Sequence, residues 1–172
     1  MKNALEVAAG AARGPWGWAE VRTANHATRY QRFGAGAGTP VVILLPASAE
    51  ANVWPELFDS LSTQRRVYLP DLPDSSECFS PRMRSFLDGV GLFNVTLVAP
   101  ASFCIPALEF ALLDPDRITR LILVPTGAAD ETGLTGALST TVQSKAVPVL
   151  VVRRDVAVSK AVQMVCEFVA ES

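Results

Sequence analysis

The chain has 172 residues, of which 49% are apolar and 19% are charged. Fifteen Lys and Arg residues face 17 Asp and Glu residues, and the net charge of −2 predicts neither a nucleic-acid partner nor an anionic-membrane partner. The single histidine, His26, excludes any site that needs two imidazoles.

The length predicts one domain rather than several. We divide the chain into an N-terminal segment, residues 1–15, that is either helical or flexible, and a single domain over residues 16–172. The N-terminal segment is too polar for a secretory signal, and no run approaches the ~20 apolar residues of a membrane span. We therefore expect a cytoplasmic protein without a membrane partner.

The cysteines are far apart and lack C-x-x-C spacing: they are Cys78, Cys104 and Cys166. This spacing predicts neither a disulfide framework nor a zinc site. We expect reduced thiols, and no metal or other cofactor.

The first predicted elements are two segments of alternating character, 18–22 and 28–33, which indicate an antiparallel hairpin on a sheet edge. The segment Gly34–Gly38 after them predicts a hairpin-like connection. Five short apolar runs follow and predict strands buried on both faces. These runs are 41–45, 66–69, 95–98, 121–124 and 147–152.

Amphipathic stretches between these runs predict helices. Their apolar stripes are Trp54, Leu57, Phe58 and Leu61, then Met83, Phe86, Leu87 and Val90, then Leu108, Ala111 and Leu112. The last helix is predicted over Ser159–Ala170, with Ser159 as its N-cap. Gly127–Lys145 is rich in Gly, Thr and Ser and predicts a flexible segment. Strands that alternate with helices indicate a parallel sheet covered on both faces.

The order of these elements, together with the residues at the strand ends, resembles the α/β-hydrolase family from about Val21 to the C-terminus. The segments that carry the resemblance are Pro40–Leu45 with Trp54 nine residues on, Tyr68–Pro73, Val95–Val98, Ala107–Glu109, Asp114–Ile118, Leu121–Val124 and Val147–Val152. The resemblance implies an α/β-hydrolase-like fold, in which an N-terminal antiparallel hairpin precedes a five-stranded, mainly parallel sheet with helices on both faces.

The resemblance also implies a nucleophile on a sharp G-x-S-x-G turn between a strand and a helix. Here residues 99–103 read Ala-Pro-Ala-Ser-Phe, so the nucleophile position carries Ala101 and the second glycine position carries Phe103. A methyl group cannot attack a carbonyl carbon. We expect the bulk of Phe103 to crowd the packing of the following helix.

The family's oxyanion donors are altered as well. The His-Gly pair implied after the first buried strand is replaced by Pro46 and Ala47, and Pro46 has no N–H to donate. Asp74 and Ser76 stand where glycines of a tight turn are implied, and Cys78 stands where a serine is implied.

Two larger parts of the family pattern have no counterpart in the sequence. A cap domain would be inserted near Gly127, yet only nineteen residues separate Gly127 from Val147. The chain continues for seventeen residues beyond Asp155, so we expect the last strand and the loop with the catalytic histidine to be absent.

Three residues are candidates for chemistry, and each has a structural alternative. Ser102 lies near a helix N-terminus that would stabilise an alkoxide, or it hydrogen-bonds a free backbone N–H. Cys104 is a thiolate activated by the same dipole, or a small buried side chain. Asp155 lies where the resemblance implies the acid partner, or it caps the next helix or pairs with Arg153 or Arg154.

The other polar side chains are expected to be solvated. His26 is predicted in the hairpin turn, remote from the strand ends where ligands bind, so it could act as a general base only if another subunit delivered it. Arg65, Arg66, Arg82 and Arg84 are expected to be solvated charges rather than an anion site.

A pocket at the strand ends would be apolar enough for a small apolar ligand. Its predicted lining is Pro46, Ala47, Ser48, Ala101, Ser102 and Phe103. We predict a non-catalytic pseudoenzyme that acts as a binding, scaffolding or stabilising subunit. The alternatives are a triad-independent lyase, isomerase or cyclisation enzyme in small-molecule biosynthesis, or a weak hydrolase that uses Ser102.

The mean hydropathy of +0.27 is high for a small monomer and indicates apolar surface that a partner covers. A sheet edge left open would add to that surface. We therefore predict a homo-oligomer or a complex with a partner protein.

Overall fold

The computed structural model describes residues 18–45, 53–73, 76–125, 147–153 and 155–171. Its strands are β1 (Ala19–Arg22), β2 (Ala27–Phe33), β3 (Val41–Ile43), β4 (Val67–Pro70), β5 (Val95–Pro100), β6 (Ile118–Val124) and β7 (Val149–Val151). Its helices are α1 (Val53–Gln64), α2 (Ser76–Val90), α3 (Cys104–Leu113) and α4 (Val158–Ala170).

All seven strands form one sheet in the order β1-β2-β4-β3-β5-β6-β7. The strands β3 to β7 are parallel to one another. The β1–β2 hairpin is antiparallel and joins this sheet at its edge through an antiparallel β2–β4 pair. The predicted fold class is therefore confirmed, with the hairpin and the five parallel strands in a single sheet.

Helices cover both faces of the sheet because successive strand residues point to opposite sides. Val42 faces the core beneath α2 and α3, whereas Val41 and Ile43 face the core beneath α1 and α4. This double burial explains why the central strands are apolar runs rather than alternating segments. Strand β7 differs from the prediction, because all three of its residues are only half-buried. It is half-buried because β6 is its single neighbour within the described sheet.

The glycine-rich segment Gly34–Gly38 is not a hairpin connection, and that prediction is wrong. Strand β4 lies between β2 and β3, so the segment must pass the start of β4 and the end of α1. A Cβ atom on Gly36 would meet the carbonyl oxygen of Gln64, and one on Gly34 would meet the carbonyl oxygens of Ser62 and Arg65. Glycines are needed here because two backbones approach closely.

Helix α4 is held at its C-terminal end. The Arg65 Nη2 group donates to the Val169 carbonyl oxygen at 3.2 Å, and its Nη1 group donates to the Ala37 carbonyl oxygen at 3.3 Å. The guanidinium of Arg120 lies 4.9 Å from the centre of the Phe168 ring. Cations are favoured at a helix C-terminus because the last carbonyls carry a partial negative charge. Arg65 is therefore a structural contact rather than the solvated charge that was predicted.

The N-terminal end of α4 also differs from the prediction. The N-cap is Ala157, which makes no side-chain cap bond, and the helix begins at Val158. Ser159 is already inside the first turn, so it is not the N-cap.

The segment Asp114–Arg117 joins two helices to the sheet. The Asp114 carboxylate accepts a hydrogen bond from the Arg84 Nε group at 2.8 Å, which ties α2 to the end of α3. The Arg117 Nη1 group donates to the Leu92 carbonyl oxygen at 3.1 Å, and Arg117 also pairs with Asp88. Arg84, which was predicted to be a solvated charge, is half exposed and forms a surface ion pair. One partner of each ion pair is more than half exposed, so each pair contributes at most about 1 kcal/mol and serves mainly to fix geometry.

Candidate functional site

The turn between β5 and α3 lies at the edge of the sheet where doubly wound folds bind ligands. All six residues of β5 are buried, and the strand ends at Pro100. Residues Ala101–Phe103 form one turn of 3₁₀ helix, and α3 begins at Cys104. Ala101 is therefore the first residue after the strand, at the position the resemblance assigned to the nucleophile.

The two residues after Ala101 have opposite environments. Ser102 is exposed, whereas Phe103 is only 3% exposed. The Phe103 ring centre lies 5.9 Å from that of Phe79, which in turn meets Phe110 edge-on at 6.3 Å. The expectation that Phe103 crowds the packing of the following helix is wrong. Its ring fits into an aromatic cluster with Phe79 and Phe110 between α2 and α3. Phe103 therefore belongs to the hydrophobic core.

Phe103 is also the N-cap of α3, and its side chain makes no capping hydrogen bond. Ser102 precedes the N-cap position, so it is not the capping residue of the structural alternative. Its exposed side chain leaves the hydroxyl accessible from solvent.

Cys104 follows the structural alternative. It is 1% exposed, and its Sγ atom lies 3.4 Å from the Ala99 carbonyl oxygen, to which the thiol donates. A reactive cysteine must be partly exposed as well as lie in an electropositive setting, and Cys104 is not exposed. The thiol instead fastens the start of α3 to the end of β5.

Asp155 lies on the surface after β7, and its Oδ1 atom is 3.7 Å from the Arg153 Nε atom. Both side chains are more than 70% exposed, at 76% and 71%. The pairing alternative is therefore observed for Arg153, whereas the capping alternative is wrong because Ala157 is the N-cap of α4.

His26 lies in the hairpin turn, as predicted. Its carbonyl oxygen accepts hydrogen bonds from the Thr23 backbone N–H at 2.8 Å and from the Thr23 hydroxyl at 3.1 Å. The Thr23 hydroxyl also contacts the Ser85 hydroxyl on α2. Ser85 is six residues, or about 9 Å of helix rise, beyond Phe79, the residue of α2 that contacts Phe103. The hairpin turn is thus fastened to the later half of α2, away from the β5–α3 turn.

Several predictions fall outside the described residues. They concern Pro46, Ala47 and Ser48 of the pocket, the N-terminal segment 1–15 and the segment Gly127–Lys145. In the part of the chain that the structure describes, no group of three His, Cys, Asp or Glu side chains could hold a metal ion. No helix in those same ranges is both long and apolar enough to cross a membrane.

An open groove of about 560 Å³ lies between α1 and α4, and no sequence pattern predicted it. Its lining residues are Asp59, Ser60, Thr63, Gln64, Ser159, Val162, Gln163 and Cys166. Burial and the neighbouring Glu167 carboxylate both raise the pKa of the Cys166 thiol, burial more strongly. The thiol therefore stays protonated near neutral pH and is a poor nucleophile. The groove is lined by two helices about a hundred residues apart in the chain, so no local sequence pattern could predict it.

No protein-family model and no curated protein sequence matches the chain. The comparison with solved structures gives matches in fold. A carboxylesterase from Bacillus subtilis aligns with a TM-score of 0.58 at 20% identity, over 73% of this chain and 48% of the esterase. A naproxen esterase from Bacillus subtilis gives 0.56 at 12% identity, over 77% of this chain and 53% of the esterase. A bacterial membrane phospholipase A gives 0.57 at 17% identity, over 70% of this chain and 42% of the phospholipase.

The chain spans only about half the length of these enzymes. At such low identities the likeness concerns the arrangement of strands and helices and not the chemistry. The chain has an α/β-hydrolase-like fold.

Proposed function

We propose that the chain is a non-catalytic α/β-hydrolase-like protein that acts by binding a partner, as a scaffolding or stabilising subunit. The observation that carries the proposal is the place of Ala101, directly after β5 and ahead of α3. A nucleophile at this position would form the covalent intermediate of acyl transfer, and alanine has no group that can do so.

The neighbouring candidates support the same proposal. Cys104 is closed off from solvent, and Asp155 pairs with Arg153 on the surface. His26 belongs to a turn that is fastened to the later half of α2. A triad works only when nucleophile, base and acid are hydrogen-bonded in sequence, and these described side chains do not form such a sequence.

Ser102 favours a second candidate function, that of a weak hydrolase. Its side chain is exposed and lies beside the N-terminal end of α3, where backbone N–H groups would stabilise negative charge. Without a base to accept its proton, a serine hydroxyl is a weak nucleophile at neutral pH. The first proposal is therefore the stronger of the two.

Two measurements distinguish the candidates: covalent labelling by a fluorophosphonate and hydrolysis of p-nitrophenyl acetate. We expect no adduct on Ser102, and a hydrolysis rate equal to that of the Ser102→Ala variant. The variant controls for contaminating esterases, since their activity does not depend on Ser102. An adduct on Ser102, or a rate well above that of Ser102→Ala, would establish the weak hydrolase and contradict the non-catalytic proposal.

The partner we propose first is a second copy of the chain. Support comes from two exposed apolar side chains near the N-terminal ends of β5 and β6, Phe93 at 81% and Leu113 at 67% exposure. Large apolar side chains in contact with water favour association. Light scattering at micromolar concentration is expected to give at least twice the chain mass of 18.4 kDa. A monodisperse monomer would contradict self-association and leave another protein as the proposed partner.

A further inference from the structure

Buried side-chain polar atoms without a hydrogen-bond partner are concentrated at one place in the described residues. Of four such atoms, three are Thr96 Oγ1, Thr119 Oγ1 and Arg120 Nε. The fourth is Gln31 Oε1 on β2. Native proteins leave few such atoms unpaired, so a cluster of three calls for a physical explanation.

The strand register brings the three residues together. Thr96 on β5 is the direct partner of Arg120 on β6. The preceding pair is Val95 with Ile118, so Thr119 is the extra residue of a β-bulge. The bulge therefore places one hydroxyl and then a guanidinium opposite the hydroxyl of Thr96.

Thr96 and Arg120 also point to the same face of the sheet. Two residues further along, Val98 and Ile122 are again direct partners, and both lie in the core beneath α1 and α4. Because side chains alternate between faces, Thr96 and Arg120 share that face. The contact of Arg120 with Phe168 of α4 agrees with this placement.

The two groups lie in a closed setting. Thr96 is 0% exposed, and the Arg120 side chain is 13% exposed. The outer end of Arg120 lies over the Phe168 ring, with its Nη1 atom 3.9 Å from the Glu171 Oε2 atom. The buried Nε–H of Arg120 has no hydrogen-bond acceptor within the described structure.

The chemistry of these groups indicates what would join them. The Arg120 Nε–H can only donate, and the Thr96 hydroxyl can donate or accept. The backbones of these paired residues belong to neighbouring strands, which lie about 4.8 Å apart. A water with two hydrogen bonds of ~2.8 Å joins polar atoms up to about 5.6 Å apart, so it suits two side chains that leave neighbouring strands on the same face. Water meets both groups because it accepts from the N–H and still bonds the hydroxyl.

An anion would meet the same donors, but the local charge opposes it. The C-terminal end of α4 carries partial negative charge, and the Glu171 carboxylate lies beside the guanidinium. We propose that a buried water molecule bridges the Thr96 hydroxyl and the Arg120 Nε–H beneath the C-terminal end of α4. The water allows Arg120 to lie inside the core and hold α4 without leaving its buried Nε–H unpaired.

A double-mutant cycle between Thr96→Val and Arg120→Met tests this proposal. Valine keeps the shape of threonine and removes the hydroxyl, so Thr96→Val is expected to raise the unfolding equilibrium constant about fivefold, measured by urea denaturation. In the Arg120→Met background the same change is expected to have a clearly smaller effect, because the bridge has already lost one end.

The opposite results would overturn the proposal. If the Thr96 hydroxyl is unpaired, its burial costs desolvation free energy that no hydrogen bond offsets. Thr96→Val would then stabilise the fold and lower the unfolding equilibrium constant. Additive effects of the two substitutions would also contradict a bridge. Thr96→Ser is the matched control: it keeps the hydroxyl, so its effect on the unfolding equilibrium constant is expected to be the same with and without Arg120→Met.

A crystal structure supplies a readout that does not depend on the stability of any variant. We expect electron density for one water within hydrogen-bond distance of Thr96 Oγ1 and Arg120 Nε. Crystals grown in sodium bromide separate water from an anion, because bromide scatters anomalously. An anomalous peak at this position, or a dry and closed space between the two groups, would overturn the proposal.

Discussion

Phe79→Ala is expected to lower the free energy of unfolding by about 3–5 kcal/mol. The Phe79 ring is 0% exposed and packs against Phe103 and Phe110, so it joins α2 to the β5–α3 turn and to α3 itself. Truncation to alanine removes the buried ring and leaves a cavity that three separate elements would have to close.

Urea denaturation followed by circular dichroism measures this effect, and Phe79→Leu is its matched control. Leucine fills most of the volume and is expected to cost less than half as much as alanine, because the loss scales with the cavity that remains. If Phe79→Ala cost under about 1 kcal/mol, a typical cost for a single substitution, the ring would not hold this turn in place.

Gly34→Ala is expected to cost roughly 3 kcal/mol or more, the second large effect. Gly34 has a φ of +70°, and a Cβ atom there would meet the backbone carbonyl oxygens of Ser62 and Arg65. The loop cannot move aside easily because both contacts are backbone atoms at the end of α1.

Gly91→Ala separates the two causes of that cost. Gly91 has a similar φ of +75°, but a Cβ atom there would meet nothing within 4 Å. The cost of Gly91→Ala in free energy of unfolding then comes only from the left-handed backbone and is about 1–2 kcal/mol. Thermal unfolding of both variants gives the difference, which we attribute to the close approach at Gly34. Equal losses would mean that the loop yields and that the clash is relieved.

The fold was predictable where the pattern is local. Five apolar runs bounded by helical stripes are enough to indicate a parallel sheet covered on both faces, because each run must be buried twice. The partner of β2 was not predictable in the same way. Glycines in Gly34–Gly38 indicate that the chain turns, but the place of β4 between β2 and β3 depends on residues some thirty positions later.

The candidate site shows the same division. Ala101 could be assigned to the β5–α3 turn from sequence because the strand ahead of it is a clear apolar run. The burial of the Phe103 ring could not be predicted from sequence, since Phe79 and Phe110 form the space that it fills. The anchoring of α4 by Arg65 and Arg120 was missed for a related reason, because an arginine looks solvated until the helix end that it meets is known.

The position of β4 between β2 and β3 also determines the order in which the strands can pair during synthesis. Strand β2 can form its hairpin with β1 at once, but its other edge has no partner until Phe33 can meet Val67. Strand β3 likewise needs β4 and β5, which follow it. Non-local pairings of this kind slow folding and prolong the exposure of strand edges. As the chain leaves the ribosome, the edge of β2 that later pairs with β4 therefore stays open until residues 67–70 have been synthesised.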